Sequence, residues 1–179
     1  YEEPCISYKN GSGTVFFSGC ALKCVFCQNY PLSHENFGKE ISTARLTEIF
    51  LELQQQKAAN INLVTPTHYT PQIIEAVTLA RTKGLSIPIV YNCGGYESVE
   101  TLRSLDGIVD IYLTDFKYMQ SEPAERYSRA ADYPEVARAA LAEMVRQQPE
   151  ARYDDSGMMT SGVIVRHLLL PGHVQNAKA

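Results

Sequence analysis

Two kinds of hydrophobic pattern alternate along this chain. Short runs rich in β-branched and aromatic residues fall at 13–19 (GTVFFSG), 60–66 (NINLVTP), 87–92 (IPIVYN), 109–116 (VDIYLTDF) and 161–172 (SGVIVRHLLLPG), and they read as strands. Between them, apolar residues recur at helical spacing. Leu46, Ile49, Phe50 and Leu53 follow Ser42 or Thr43 as cap. Ile73, Ile74, Val77 and Ala80 follow Thr70 as N-cap, with Pro71 at the first helical position and Gly84 as the stop. Val99, Leu102 and Leu105 mark a short helix, and a longer one runs from Pro134 to about Gln147 with Val136, Ala140, Leu141, Met144 and Val145 facing inward. Strands alternating with helices call for an α/β fold with a parallel sheet and right-handed crossovers, either doubly wound or curled into all or part of a (β/α) barrel. The near-continuous apolar character of the strands suits a sheet covered on both faces.

The polar residues that interrupt this pattern gather at the C-terminal ends of the strands. They are Cys20, Thr65 to Tyr69, Asn92 to Tyr96, Asp115 with Lys117, and Arg166 with His167. In parallel α/β folds that rim is where ligands bind. Composition narrows the class. The 179 residues suit a single domain spanning 1–179, and 45% hydrophobic with 20% charged residues is a globular balance. A net charge of −4 with no basic stripe gives no footprint for nucleic acid. The longest apolar run is broken by Arg166 and His167, so no membrane span is expected, and the start lacks the regions of a signal peptide. The chain begins at Tyr1 and ends in PGHVQNAKA, and both ends are expected to be cut from a longer protein.

The cysteines change the picture most. Cys20, Cys24 and Cys27 lie within eight positions, and only Cys5 and Cys93 occur elsewhere. An odd count with tight spacing suits reduced thiols holding a metal in the cytoplasm rather than a secreted disulfide framework. Thiolates favour zinc, copper(I) and iron–sulfur clusters. Three thiolates from one loop can cap three corners of a cubane and leave the fourth iron open, as a catalytic metal site requires. A zinc site completed by Cys5, His34 or His68 is an alternative, and a redox dithiol at Cys24 and Cys27 is another. Cys93 reads as a small buried hydrophobe, and Cys5 as a residue that an auxiliary metal site shared with upstream residues would use.

The spacing Cys20-x-x-x-Cys24-x-Phe-Cys27 directly after a first strand resembles the signature of the radical S-adenosylmethionine (SAM) superfamily. The stretches EEPC, GSGTVFFSGC, CVFCQNY, NINLVTPTHY, PIVYNCGGYE, VDIYLTDFKY and RHLLLPG resemble its pyruvate formate-lyase activating-enzyme-like branch, from Glu2 to Gly172. The resemblance implies a partial (β/α) barrel of radical SAM type, continuing past Gly172 into a further strand. It implies a 4Fe–4S cluster held by Cys20, Cys24 and Cys27, with the open iron chelated by SAM, and backbone N–H groups from Ala21 to Gln28 tuning the potential. For SAM itself the resemblance points to Asp115 and Lys117, which share a strand face, to Arg166 for the carboxylate, and to Phe26 with the backbone of Val163 to Val165 for adenine. Where many members carry Gly-Gly-Glu-Pro after the second strand, this chain has Thr65-Pro66-Thr67-His68. Thr65, Thr67 and His68, with Asn92 on the next strand, are the candidates for that end of the cofactor. Expected partners are an electron donor such as flavodoxin or ferredoxin and a glycyl radical enzyme that receives the radical. Radical modification of a small molecule or another protein is the alternative activity, and a non-catalytic zinc- or cluster-binding module the alternative class.

Overall fold

The computed structural model describes residues 3–7 and 10–177. Along the chain lie α1 (Pro4–Ser7), β1 (Gly13–Phe16), α2 (Tyr30–His34), α3 (Thr43–Gln55), β2 (Ile61–Val64), α4 (Thr70–Thr82), β3 (Ile89–Cys93), α5 (Val99–Ser104), β4 (Ile111–Phe116), α6 (Ser121–Ser128), α7 (Tyr133–Gln147), β5 (Arg152–Tyr153) and β6 (Met159–His167). The sheet order is β1-β2-β3-β4-β6-β5. Every neighbouring pair is parallel except the short β5, which folds back antiparallel on β6. The parallel strands are laid down in chain order with no reversal, so the sheet has no switch point of the doubly wound kind.

The alternation along each strand separates two apolar layers. Ile61, Leu63 and Ile89 meet Leu46 and Phe50 of α3 and Ile73, Ala76, Val77 and Ala80 of α4. Tyr91, Cys93 and Tyr112 continue that layer against Leu102, Leu105 and, from α7, Ala140 and Met144. The alternate residues Val90, Ile111 and Leu113 pack with Ile6 of α1 and with Met159. Helices α3, α4 and α7 thus cover one face, while α1 plugs the other near the N-terminal ends of the strands. Asn60 fixes the plug by donating from Nδ2 to the Ile6 carbonyl at 2.6 Å. Above Ile111 and Leu113 on the plugged face, β4 presents Asp115, directly paired in register with Arg166 of β6.

Several sequence expectations need correction. Helix α3 begins as expected, with the Ser42 hydroxyl accepting from the Arg45 N–H at 3.2 Å. Thr70 is not an N-cap, because a 3₁₀ turn over Thr67–Tyr69 runs into α4 and Tyr69 takes the cap position. The Thr70 hydroxyl instead donates back to the Thr67 carbonyl at 3.0 Å. The last strand is shifted, starting at Met159 and ending at His167. Val145 is 45% exposed, since α7 buries its small residues Ala137 and Ala140 along with Met144. The hydrophobic pattern gives no sign of α1, α2, α6 or β5. No helix among the described residues is long and apolar enough to cross a membrane.

Candidate functional site

The residues that lead into the cysteine loop explain its entry. Gly19 has φ +86, and a side chain there would press on His68 at 3.3 Å. Its N–H donates to the Leu32 carbonyl at 2.8 Å, which folds the segment after the loop back over the end of β1. The loop is then fastened to the C-terminus of α6: Lys23 N–H donates to the Ser128 carbonyl at 3.1 Å and Val25 N–H to the Tyr127 carbonyl at 2.9 Å. Arg129, left-handed at φ +55, ends α6 at that point.

Cys20, Cys24 and Cys27 pack together into one apolar cluster, with Leu22, Phe116, Tyr118 and Tyr133. Cys24 is the deepest, at 7% exposed. Burial pushes both the Cys20 and Cys24 thiols up. For Cys20, the Leu22 N–H opposes that rise, while the neighbouring Cys24 and Cys27 add to it. For Cys24, a hydrogen bond from Ser128 and the Lys117 ammonium pull the other way. Cys20 accepts from the Leu22 N–H and Cys24 from the Ser128 hydroxyl at 2.9 Å, while the Cys27 sulfur lies 3.1 Å from Ser33 Oγ. Three thiols that feel one another, two of them with a hydrogen-bond donor and with a cation nearby, fit a cluster carried by three cysteinates.

A single tetrahedral ion would need its sulfurs within roughly 4 Å of one another. Among the described residues no group of three or more His, Cys, Asp or Glu side chains is arranged to hold one metal ion. The expected supplementary zinc ligands lie in three different surroundings. Cys5 packs beside Ile6 in the plugged face, His34 stacks on Tyr30 with ring centroids 4.3 Å apart, and His68 sits against Gly19.

Next to the loop lies a charged rim. Arg166 donates from Nε to Asp115 Oδ1 and from Nη2 to Asn92 Oδ1, both at 2.8 Å. Lys117 pairs with the other Asp115 oxygen. Arg166 Nη1 faces Glu3 at 3.7 Å, longer than a hydrogen bond. The structure therefore brings Asn92, Asp115, Lys117 and Arg166 into one network. His167, the in-register partner of Phe116, points to the opposite face and binds the Phe116 carbonyl through Nδ1 at 2.6 Å.

Tyr133 ties this rim to the loop. Its hydroxyl accepts from the Lys117 N–H at 2.8 Å and lies 2.9 Å from the Gly94 carbonyl and 3.1 Å from that of Asp115. Gly95, at φ +80, is pressed so closely on the Asp115 carbonyl that any side chain would collide with it. A side chain at Gly94 would meet Leu22 of the cysteine loop at 3.1 Å. Phe26 is half-buried in the same cluster as Tyr96 and Leu170.

The segment after β2 forms the remaining wall. Thr65 is left-handed at φ +56 and its N–H donates to the Asn92 carbonyl at 2.9 Å. A left-handed backbone is one glycine adopts freely and a β-branched threonine only under strain. Thr67 turns inward and donates to Glu97 Oε1 at 2.8 Å, and Tyr91 donates to Oε2 at 3.2 Å. Glu97 is 3% exposed, and burial pushes its carboxyl up to about 7. His68 remains exposed. Cys93 is buried against Thr114, and burial pushes its thiol far up, in keeping with a packing role.

Sequence reasoning missed Glu97, Ser33, Ser128 and Tyr133. For Glu97 the Gly94-Gly95 turn before it was the only available hint; the other three carry no local signature.

Comparison with known proteins bears on the loop directly. The family profile described as "4Fe-4S single cluster domain" matches residues 9–130, more than half of the chain, and takes in all three cysteines, Asp115, Lys117 and Ser128. The chain is also similar to an uncharacterized protein of Methanocaldococcus jannaschii, 31% identical over 170 residues that cover 91% of this chain and 46% of the relative. The chain thus spans about half the length of that curated relative.

Proposed function

The chain belongs to the 4Fe–4S single cluster domain family, and from that premise we propose that it is a radical SAM enzyme built on the open arc of a (β/α) barrel. Cys20, Cys24 and Cys27 would hold the cluster. When bound, such a cluster supplies the single electron that cleaves SAM into methionine and a 5′-deoxyadenosyl radical, which takes a hydrogen atom from the substrate. The observation that carries the reading is the contiguity of the three-cysteine loop with the Asn92, Asp115, Lys117 and Arg166 network at the same strand ends. A three-cysteine cluster alone needs no such rim, whereas a zwitterionic amino-acid moiety needs both a cation and acceptors beside it.

The residues divide this work by their chemistry. Arg166 is held in place from two sides, and among the described residues its Nη1 is engaged only by a loose ion pair, so it can take the SAM carboxylate. Asp115 and the backbone carbonyls of 65–67 are the acceptors for the ammonium. Lys117, next to Cys20 and Cys24, compensates negative charge on the loop. Phe26 and the backbone of Val163 to Val165 would flank adenine. The apolar wall of Leu22, Phe116, Tyr118 and Tyr133 keeps water from the buried side of the loop. Transfer of the radical to a glycyl radical enzyme, with flavodoxin or ferredoxin as electron donor, is the physiological role we assign.

Anaerobic incubation of the full-length, iron- and sulfide-reconstituted protein with SAM and dithionite tests the reading. 5′-Deoxyadenosine should form, and Cys24→Ala should abolish it. Absence of the nucleoside from a fully loaded wild-type protein would overturn the assignment.

A further inference from the structure

Ser128 is 104 residues away from Cys24 in sequence, yet its side chain is fully buried against that sulfur. A serine hydroxyl has one proton. The Ser128 Oγ lies 2.9 Å from Cys24 Sγ and 2.7 Å from the Tyr118 hydroxyl. If the serine proton goes to the sulfur, the tyrosine must donate to the serine oxygen. Tyr118 is itself fully buried and holds its proton firmly, burial pushing its phenol up to about 12. The pair therefore forms a directed relay, Tyr118 to Ser128 to Cys24. The backbone of the same serine accepts from Lys23, so hydroxyl and carbonyl grip the loop together.

The serine on Cys27 is differently placed. Ser33 Oγ lies 3.1 Å from Cys27 Sγ, but also 2.7 Å from His34 Nδ1 and 3.4 Å from the Tyr30 carbonyl. Its single proton has competing carbonyl and imidazole acceptors, whereas the second partner of Ser128 is a hydroxyl that can itself donate and so leave the serine proton to the sulfur.

We propose that Ser128, oriented by Tyr118, is a positioning residue that sets the reduction potential of the cluster by donating a hydrogen bond to the Cys24 sulfur. This rests on the cluster assignment above. A donor to a cysteinate stabilises the more electron-rich state, so it raises the potential. The bond is present in both oxidation states, so only its strengthening on reduction moves the potential, and a charged hydrogen bond is strong enough for that difference to reach about tenfold. For a one-electron couple, tenfold is about 59 mV.

The test is a redox titration of the reconstituted full-length protein, followed by the electron paramagnetic resonance signal of the reduced cluster. Ser128→Ala should lower the midpoint potential by about 59 mV with iron and sulfide content unchanged. Tyr118→Phe keeps the serine and removes only its orienting donor, so it should shift the potential the same way by less. Ser33→Ala should shift it less than Ser128→Ala. Where Ser128→Ala fails to load, the Tyr118→Phe potential decides. An unchanged or raised potential in a fully loaded Ser128→Ala or Tyr118→Phe protein would overturn the relay and leave the cluster intact. A wild-type protein that takes up no cluster would instead overturn the cluster assignment.

Discussion

Replacing Glu97 by glutamine removes a charge while keeping shape, and its consequence for stability depends on pH. In the folded protein the Glu97 carboxyl is pushed up to about 7 by burial, from an ordinary 4.5. The groups that face it, Thr67, Tyr91 and Cys93, are neutral donors that oppose the rise without cancelling it. Below the unfolded value both states are protonated and Glu97 costs nothing. As pH rises towards 7 the unfolded chain releases the proton and the folded chain keeps it, so stability is lost through this window. Displacing an ionisation by one pH unit corresponds to about 1.36 kcal/mol, so the loss is about 3 kcal/mol once the folded group ionises. Glu97→Gln has no such slope. Urea unfolding of both proteins at intervals between pH 4.5 and 8 gives the two curves. Their difference should change by about 3 kcal/mol in favour of glutamine as pH rises, other titrating groups cancelling. The absolute offset depends on how the amide meets the two hydroxyls; the change with pH does not. Parallel curves would refute the idea that a buried, unpaired carboxylate underlies the 65–69 segment.

Other perturbations follow from the same geometry. Tyr133→Phe leaves the partly buried Lys117 N–H without its acceptor and should cost about 1–3 kcal/mol in urea unfolding. Ile6→Ala should cost about 2–5 kcal/mol, because α1 plugs the sheet through that side chain, and removal of the plug should raise hydrogen exchange at Val90 and Ile111. Arg166→Lys keeps the charge but loses the fork that reaches both Asp115 and Asn92, and should weaken SAM binding by about tenfold or more in equilibrium dialysis.

Much of this fold is written in hydrophobic periodicity. The apolar runs of β2, β3 and β4 are buried on both faces of the sheet, whereas β1 and β6 leave Phe16 and Val165 about half exposed because α1 covers only part of the second face, and Ser42 and Gly84 bound α3 and α4 by local chemistry. What escaped had no such pattern. Helix α6, SEPAERYS, buries Pro123, Ala124 and Ser128 and offers no apolar stripe. Its importance comes from where its C-terminus lies, which is a tertiary fact. Helix α1 is a single turn whose Ile6 matters because strands far along the chain surround it. Val145 reads as core in the sequence, but α7 meets its neighbours through alanines, and Glu143 is buried there instead by Arg146 and Gln147.

The site divides in the same way. The cysteine spacing is local, so Cys20, Cys24 and Cys27 could be named from the sequence, and rim residues could be named because strand ends are predictable. The hydroxyls on the sulfurs could not. Ser128 looks like any helix-terminal serine until α6 is docked on the loop. Glu97 looks like a surface acid until the Gly94-Gly95 turn drives it inward behind Thr67.

The measurement that tests the radical SAM assignment most directly is the electron paramagnetic resonance spectrum of the dithionite-reduced, reconstituted full-length protein, recorded before and after SAM is added. An iron left open by a three-cysteine loop should bind SAM and change the reduced-cluster signal, and Cys24→Ala should give neither signal nor change. A cluster signal that SAM leaves untouched, or a colourless protein that retains zinc, would contradict it.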